Sequence, residues 1–249
     1  MESERPVAIV TGGSRGIGAA IVRRLARAGF DLVVTFRSDE VAAERVSAST
    51  AGTGARVELV RADLATDLGV QAPFDVAAER FGRLDALVNN AGISTRYAPL
   101  ADTPADEVRR TIEVDFVAAV LGARLAVREF VRTGTAGVIV NITSGAATLG
   151  SPGEYTHYAA AKAGLDAFTL GLGKEVGPHG IRVVAVAPGL VDTELRVTTG
   201  DAGRVERMAA DIPLQRAADP DEIAAAVEWL LGPDAGYVTA TTLRVAGGR

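Results

Sequence analysis

Short runs of apolar, mostly β-branched residues recur along the chain and alternate with longer segments of amphipathic pattern. This alternation is typical of α/β proteins, in which helices join parallel strands and cover both faces of the sheet. The runs predict strands at Val7–Thr11, Leu32–Phe36, Val57–Val60, Ala86–Asn89, Val138–Ile142, Arg182–Ala187 and Thr242–Val245. The longer segments predict helices at Gly16–Ala28, Glu40–Thr50, Leu68–Phe81, Pro104–Arg132, Tyr155–Val176 and Pro220–Leu231. We therefore expect one doubly wound α/β fold with a parallel seven-stranded sheet and helices on both faces.

Four chemically distinctive positions, Gly12, Asn89, Ser144 and Pro188, fall at the carboxyl ends of predicted strands. Ligands of open α/β sheets bind beyond these ends, so residues far apart in sequence are expected to meet at one edge. We predict a single Rossmann-type domain spanning residues 1–249. Its cofactor half is expected at about residues 1–140 and its catalytic and substrate half at about 141–249, with a lid at about 190–213.

The composition argues against several classes of protein. The chain has 249 residues, of which 48% are hydrophobic, enough for one large core. Its net charge of −5 argues against nucleic-acid and anionic-membrane partners. It has no cysteine and two histidines, so we expect neither disulfides nor a metal site. Its first residues lack the apolar core of a secretion signal, and no apolar stretch reaches membrane-spanning length. A cytoplasmic protein is expected.

A glycine-rich loop follows the first predicted strand and opens the first predicted helix. Gly12, Gly16 and Gly18 would permit a tight turn, close approach of the backbone to a pyrophosphate, and close packing of helix on strand. The helix N-terminus would offer N–H groups and a positive dipole end to the phosphates. Glycine loops also serve as plain turns, but this one lies between a terminal strand and a helix. It therefore indicates a dinucleotide site.

The end of the second strand bears on which dinucleotide binds. NAD-binding versions of this loop usually present an acid to the adenosine ribose about 20 residues further on. Here the strand ends without a carboxylate before Asp39, and Arg37 together with Arg15 can supply a cationic fork for a 2′-phosphate. This pattern favours NADP over NAD. The alternative is that Arg37 is a solvated surface residue and Asp39 serves the ribose. Asp63, after the third strand, is placed to accept from the adenine amino group or to cap a helix.

Tyr158 and Lys162 stand one helical turn apart, and Ser144 ends an apolar run upstream. A phenol with a reference pKa of ~10 transfers protons poorly at neutral pH until a nearby cation favours its phenolate. Ser144 could hydrogen-bond the same substrate oxygen. Taken alone, a tyrosine and a lysine at this spacing are an ordinary surface pair. With the glycine loop and Ser144, they indicate a proton-transfer site for a carbonyl or an alcohol.

These motifs occur in a family-specific order over nearly the whole chain. They are Thr11–Gly18, Asn89-Asn90-Ala91-Gly92, Ser144, Tyr158-Ala-Ala-Ala-Lys162, residues 188–193 and the glycine-rich end at residues 245–248. In this order the chain resembles the short-chain dehydrogenase/reductases. Residues 151–155 and the end of the chain are most similar to bacterial reductases of the 3-oxoacyl-reductase-like branch. Substrate assignments within that branch do not follow from the fold.

The resemblance implies an NADP-dependent oxidoreductase acting on a small-molecule carbonyl or alcohol. Tyr158 would be the general acid in reduction and the base in oxidation. Lys162 would lower the pKa of that tyrosine and hold the nicotinamide ribose, and Ser144 would polarise the substrate carbonyl. Expected cofactor contacts are Gly12, Ser14, Arg15, Gly16, Ile17, Gly18, Arg37, Asp63, Leu64, Asn89, Ala91, Gly92, Tyr158, Lys162, Pro188, Gly189, Val191 and Thr193.

Two departures from the family pattern stand out. Asp115 occupies the position of the family asparagine and is a candidate catalytic residue. Asp115 can replace the asparagine if the main role of that position is to leave a backbone carbonyl free for a water that contacts Lys162. If the amide must donate a hydrogen bond, an ionised Asp cannot replace it. If it is ionised beside Lys162, it opposes formation of the Tyr158 phenolate. Ala240 and Ala246 stand where relatives often have Gly and Asp, and are expected to affect packing or subunit contacts.

Two other readings stay open. Tyr155 lies seven residues before Lys162, the step found in enoyl reductases of the same superfamily, whose substrate is a carbon–carbon double bond. A dinucleotide-sensing protein without turnover would be expected to lose the tyrosine or the lysine, and both are present. The resemblance, with two long helices of more apolar surface than one sheet face covers, predicts a homo-oligomer, most simply a tetramer.

Overall fold

Seven parallel strands form one sheet in the order β3-β2-β1-β4-β5-β6-β7. The strands are β1 Val7–Val10, β2 Asp31–Phe36, β3 Val57–Arg61, β4 Ala86–Asn89, β5 Val138–Ile142, β6 Arg182–Pro188 and β7 Thr241–Val245. The computed structural model describes residues 5–93, 96–193 and 204–249. All seven predicted strands are present, and the predicted doubly wound, Rossmann-type sheet is confirmed. The predicted lid at residues 190–213 lies partly outside the described residues.

Helices cover both faces of this sheet. They are α1 Gly16–Arg27, α2 Glu40–Ala48, α3 Asp67–Phe81, α4 Ala105–Ile112, α5 Ala118–Thr133, α6 Ala146–Leu149, α7 Thr156–Val176, α8 Arg204–Ala209 and α9 Pro220–Leu231. Each predicted helix is present, with ends that differ by a few residues, as expected of sequence patterns. The short helices α6 and α8 were not predicted, because neither is long enough to show a period. No helix among the described residues is long and apolar enough to cross a membrane.

The five central strands β2, β1, β4, β5 and β6 are buried on both faces, which explains their mostly apolar sequences. In β1, Ala8 and Val10 pack in one core with α1 and α9, whereas Val7 and Ile9 pack in a second core with α3 and α5. Successive side chains of a strand point to opposite faces, so one short run supplies both cores. The central strands are thereby fixed in position, and their carboxyl ends form a stable edge.

The helix predicted at Pro104–Arg132 is one helical stretch with a change of winding. Its first and last parts are α4 and α5, and Glu113–Val117 between them forms a π-helical turn. Such turns insert one extra residue into the helix and occur often at functional sites. This one directs the Asp115 side chain inward, where Oδ2 accepts a hydrogen bond from the Ile93 N–H at 3.0 Å. The periodic sequence pattern does not reveal the extra residue.

Candidate active site

A cavity of about 720 Å³ opens at the carboxyl edge of the sheet, where the strand order reverses between β1 and β4. This is where open α/β sheets bind ligands. Every residue predicted for the site except Asn89 lines this cavity. The sequence motifs therefore meet in one place, although they are spread over most of the chain.

The glycine loop forms one end of the cavity. Gly12 and Gly16 have φ values of +66° and +53°, which favour glycine. The loop is fixed on β2, since the Gly12 N–H donates to Thr35 Oγ1 and the Gly13 N–H to the Thr35 carbonyl, both at 3.0 Å. A β-carbon at Gly12 would lie 2.9 Å from the Ala91 Cα. The loop thus stays close to the β4 end and exposes backbone rather than side chains.

The N-terminus of α1 completes this end. Arg15 precedes α1 and makes no side-chain cap, and no acid lies in the first turn of the helix. The first N–H groups of a helix lack partners within it and carry partial positive charge. With the close backbone of the glycine loop, they suit a pyrophosphate. The residues present therefore fit a dinucleotide, and they could hold it by backbone contacts.

Arg37 and Asp39, at the end of β2, have different roles in the structure. Both line the cavity, but the Asp39 side chain caps α2 by accepting a hydrogen bond from the Ala42 N–H at 2.9 Å. Arg15 lines the same region. One oxygen of this carboxylate is thus engaged at the start of α2, and two guanidinium groups lie at the cavity wall.

Arg110 is a cavity residue that the sequence did not indicate. It lies on α4 and its guanidinium contacts Asp63 Oδ1 at 2.6 Å. This contact, and to a smaller extent the hydrogen bond from the Ala65 N–H, lowers the pKa of Asp63. Asp63 lines the cavity as predicted, but Arg110 holds one of its oxygens. The partner lies 47 positions away, and no local pattern links the two.

Ser144, Tyr158 and Lys162 converge at the centre of the cavity. Ser144 follows β5 and accepts a hydrogen bond from the Ala146 N–H at 3.1 Å, which fixes its hydroxyl at the start of α6. Tyr158 and Lys162 lie on one face of α7, with the lysine Nζ 5.7 Å from the centre of the phenol ring. Lys162 also donates to the Ile142 carbonyl at 3.1 Å. The phenol of Tyr158 and the hydroxyl of Ser144 thus line the same cavity.

Asp115 forms a buried ion pair with Lys162. Its Oδ1 lies 3.2 Å from the lysine Nζ, and the side chains are 0% and 4% exposed. Burial raises the pKa of Asp115, while the positive charge of Lys162 and the hydrogen bond from the Ile93 N–H act against this rise. Burial outweighs these effects, so the pKa of Asp115 is raised, and Lys162 is the main group that favours its ionised form.

The environment of Tyr158 does not favour its phenolate. Burial raises the pKa of the phenol and the charge of Asp115 raises it further, whereas the hydrogen bond with Ser144 lowers it. The lowering of this pKa by Lys162 stays a prediction. The ammonium lies 3.2 Å from Asp115 Oδ1 and 5.7 Å from the centre of the ring, so a charged Asp115 would partly offset its positive charge.

Asn89 was predicted to lie beside the cofactor, and the structure corrects this. Its amide group donates to the Ala119 carbonyl at 3.1 Å and to Asn141 Oδ1 at 2.9 Å, inside the sheet and helix layers. Its side chain is committed there because a buried amide must find hydrogen-bond partners. The next residue, Asn90, lines the cavity instead and donates to the carbonyls of Thr11 and Gly12.

Aromatic rings flank the reacting end of the cavity. The rings of Tyr97 and Tyr155 lie 5.1 Å apart, and those of Tyr155 and Tyr158 are 5.2 Å apart in an edge-to-face arrangement. Leu149 and Arg244 also line the cavity. Tyr97 was not predicted, because the loop after β4 carries no periodic signal. In the described part of the chain, no group of acidic residues or histidines could hold a metal ion.

Comparison with known proteins agrees with this arrangement. The family model described as enoyl-(acyl carrier protein) reductase matches residues 12–249. The chain is 38% identical to an Escherichia coli K12 protein named uncharacterized oxidoreductase YgfF, over 98% of this chain and 99% of that protein. It is 36% identical to a Synechocystis 3-oxoacyl-[acyl-carrier-protein] reductase, over 97% and 96%. The chain belongs to the short-chain dehydrogenase/reductase family.

A solved structure supports the same membership. A short-chain dehydrogenase from Burkholderia cenocepacia J2315, crystallised in complex with NADP, superposes with a TM-score of 0.91 at 36% identity, covering 99% of this chain and 98% of that one. The predicted family is confirmed, and its 3-oxoacyl reductases are among the similar proteins. The protein is therefore an NAD(P)-dependent short-chain dehydrogenase/reductase that interconverts carbonyls and alcohols.

Proposed function

We propose that this enzyme is an NADPH-dependent carbonyl reductase in which Tyr158 donates the proton. The observation that carries the proposal is that Ser144, Tyr158 and Lys162 line one cavity together with the glycine loop. A substrate carbonyl oxygen that accepts from both hydroxyls lies where negative charge develops during reduction. The oxygen then takes the phenol proton. A phenol with a raised pKa stays protonated at neutral pH and suits this direction.

The bound dinucleotide would supply the hydride. The glycine loop and the N-terminus of α1 would hold its pyrophosphate, and Thr193, at the cavity wall, would hold its carboxamide. Arg37 and Arg15 support a preference for the 2′-phosphate, since arginine binds phosphate through paired hydrogen bonds. Asp39 Oδ1 caps α2, which leaves only its other oxygen for the ribose that an NAD site would bind. The NADP complex of the Burkholderia protein agrees with this preference.

Reduction of a double bond is the second candidate, because the matching family model carries an enoyl-reductase description. Tyr155 would be its acid. Tyr155 immediately precedes α7 and packs edge-to-face on Tyr158 at 5.2 Å, so both phenols are near the reacting end. Ser144 has no evident role in the reduction of a double bond, however, and it lines the cavity with Tyr158, which supports the carbonyl reaction. We therefore place the enoyl reaction second.

A substrate panel separates these reactions. Purified protein would be assayed with NADPH and, in parallel, NADH against ketones, aldehydes, sugars, steroids, 3-oxoacyl thioesters and enoyl thioesters. We expect saturable oxidation of NADPH by at least one carbonyl compound. Turnover of enoyl thioesters alone would replace the proposal by the second candidate. Binding of NADPH without any turnover would indicate a dinucleotide-sensing protein and would contradict both.

A further inference from the structure

The ion pair between Asp115 and Lys162 lies beside the proposed proton donor, with Lys162 Nζ 5.7 Å from the centre of the Tyr158 ring. It is packed under Gly92, where an added β-carbon would lie 2.7 Å from Asp115 Oδ1 and 3.5 Å from Lys162 Nζ. Nearly all of both side chains is excluded from solvent. Two opposite charges in such a place act on their neighbours with little screening. The pair therefore contributes a nearly cancelled charge to the site, where Lys162 alone would contribute a full positive charge.

Few ionisable groups face the pair and the phenol. From α7 come Lys162 and His157, and the latter acts on Asp115 through its charge. From the π-helical turn comes Asp115, and from the loop after β4 comes Tyr97, which raises the pKa of Tyr158 slightly. Tyr155 contacts the phenol ring at its edge, and β5 contributes the uncharged Ile142 carbonyl. Asp115 is the acid among them that acts on both Lys162 and Tyr158.

We propose that Asp115 is a positioning residue that fixes Lys162, offsets its charge and thereby keeps Tyr158 in the neutral phenol form over a wide range of pH. The inference rests on the proposed role of Tyr158 as proton donor. A site in which the positive charge of Lys162 is offset is suited to donating a proton from Tyr158 to a carbonyl oxygen. It is less suited to taking one from an alcohol, which needs the phenolate.

The two directions of reaction need opposite protonation states of Tyr158. Reduction needs protonated Tyr158, so its rate falls as the pH rises past the pKa of the phenol. Oxidation needs the phenolate, so its rate rises through the same pKa. Removing the charge of Asp115 lowers that pKa. The pH–rate profiles of reduction and of oxidation should therefore both move to lower pH. A loss of side-chain packing would not produce this shift.

The test is the variant Asp115→Asn, which keeps the shape of the side chain and removes its charge. We expect both limbs of kcat/KM to move down by roughly one pH unit, as for other nearby charges. Glu113→Gln is the matched control, because it removes one carboxylate from an exposed position of the same π-helical turn. Its limbs should stay where they are in the unaltered enzyme.

A second readout needs no turnover. The ultraviolet absorbance of tyrosinate would be titrated in the protein without cofactor, and the titration of the matching Tyr158→Phe variant subtracted, which isolates one of four tyrosines. The step assigned to Tyr158 should move to lower pH in Asp115→Asn. This readout separates the inference from the proposed function, since it holds whether or not Tyr158 is the proton donor.

Unchanged limbs and an unchanged tyrosinate step in folded Asp115→Asn would overturn the inference, as would an equal loss of rate at every pH. If Asp115→Asn does not fold, as judged by circular dichroism, Asp115→Ser serves in its place with the same expected shift. Equal shifts in Glu113→Gln would assign the effect to overall charge and would also overturn it.

Discussion

Gly18, in the first turn of α1, packs directly against the carbonyl group of Gly12. A β-carbon at position 18 would overlap that oxygen and would lie 2.5 Å from Asn90 Nδ2. Both neighbours belong to the wall of the cavity, so the helix could not stay in place without moving the loop. A contact this short is one that real side chains do not make, and the loop has little freedom to yield.

Gly18→Ala is therefore expected to weaken NADPH binding at least ~10-fold, because shifted N–H groups no longer converge on the phosphates. Fluorescence titration of NADPH measures this. Gly171→Ala is the matched control, since its β-carbon meets nothing within 4 Å on exposed α7. It should bind NADPH normally and gain about 1 kcal/mol of stability from helix propensity. Equal binding by both variants would contradict the assigned role of the loop.

Arg37→Asp tests the preference for NADPH. The substitution places a carboxylate where we propose that the 2′-phosphate lies, so it should weaken NADPH and spare or improve NADH. The ratio of kcat/KM for the two cofactors measures the change, and a fall of at least ~10-fold in the preference is expected. Arg45→Asp on the exposed face of α2 makes the same change of charge away from the cavity and should leave the ratio unaltered. Equal use of both cofactors by the unaltered enzyme would refute the preference.

The strands and the long helices could be predicted because their patterns are local. A run such as Val138–Ile142 is buried on both faces and is apolar except for Asn141, and α7 has the length that makes a period visible. The order of the motifs then placed Ser144, Tyr158 and Lys162 at one edge. These three could be predicted because parallel strands all present their carboxyl ends at the same side.

Contacts between distant segments could not be predicted in the same way. The contact of Asp115 with Lys162 joins the π-helical turn to α7, and that of Arg110 with Asp63 joins α4 to the segment after β3. Asn89 was assigned to the cavity because it ends the fourth strand and begins the family motif that also contains Asn90. Only the direction of each side chain separates them, and that is set by packing in the folded protein.

Ala240 has a φ of +54°, in the left-handed region that costs most residues about 1–2 kcal/mol. Its backbone also lies close to α7, where a β-carbon at Gly173 would be 2.8 Å from the Ala240 nitrogen. Ala240→Gly relieves the strain, but it also raises the conformational entropy of the unfolded chain, which costs about 0.4–1 kcal/mol of stability. We expect a net gain of roughly 0.5–1 kcal/mol in the free energy of unfolding. Urea titration measures it, and a loss of stability would show that the alanine methyl group packs favourably.

The predicted homo-oligomer can be tested by sedimentation. The described surface exposes several large apolar side chains, among them Val131 at the end of α5 and Leu170 on α7. Exposed apolar groups on long helices are typical of surfaces covered by a second copy. We expect a tetramer at micromolar concentration, and a monomer under those conditions would contradict the prediction.

The most direct test of the account is the rate of carbonyl reduction by Tyr158→Phe with NADPH. Loss of the hydroxyl should lower kcat/KM at least ~100-fold, as expected for a general acid, while NADPH affinity measured by calorimetry stays within a few-fold. Tyr237→Phe, at a fully exposed position, is the matched control and should be as active as the unaltered enzyme. Near-normal turnover in Tyr158→Phe, with the loss appearing in Tyr155→Phe instead, would contradict the assignment of Tyr158 as the proton donor.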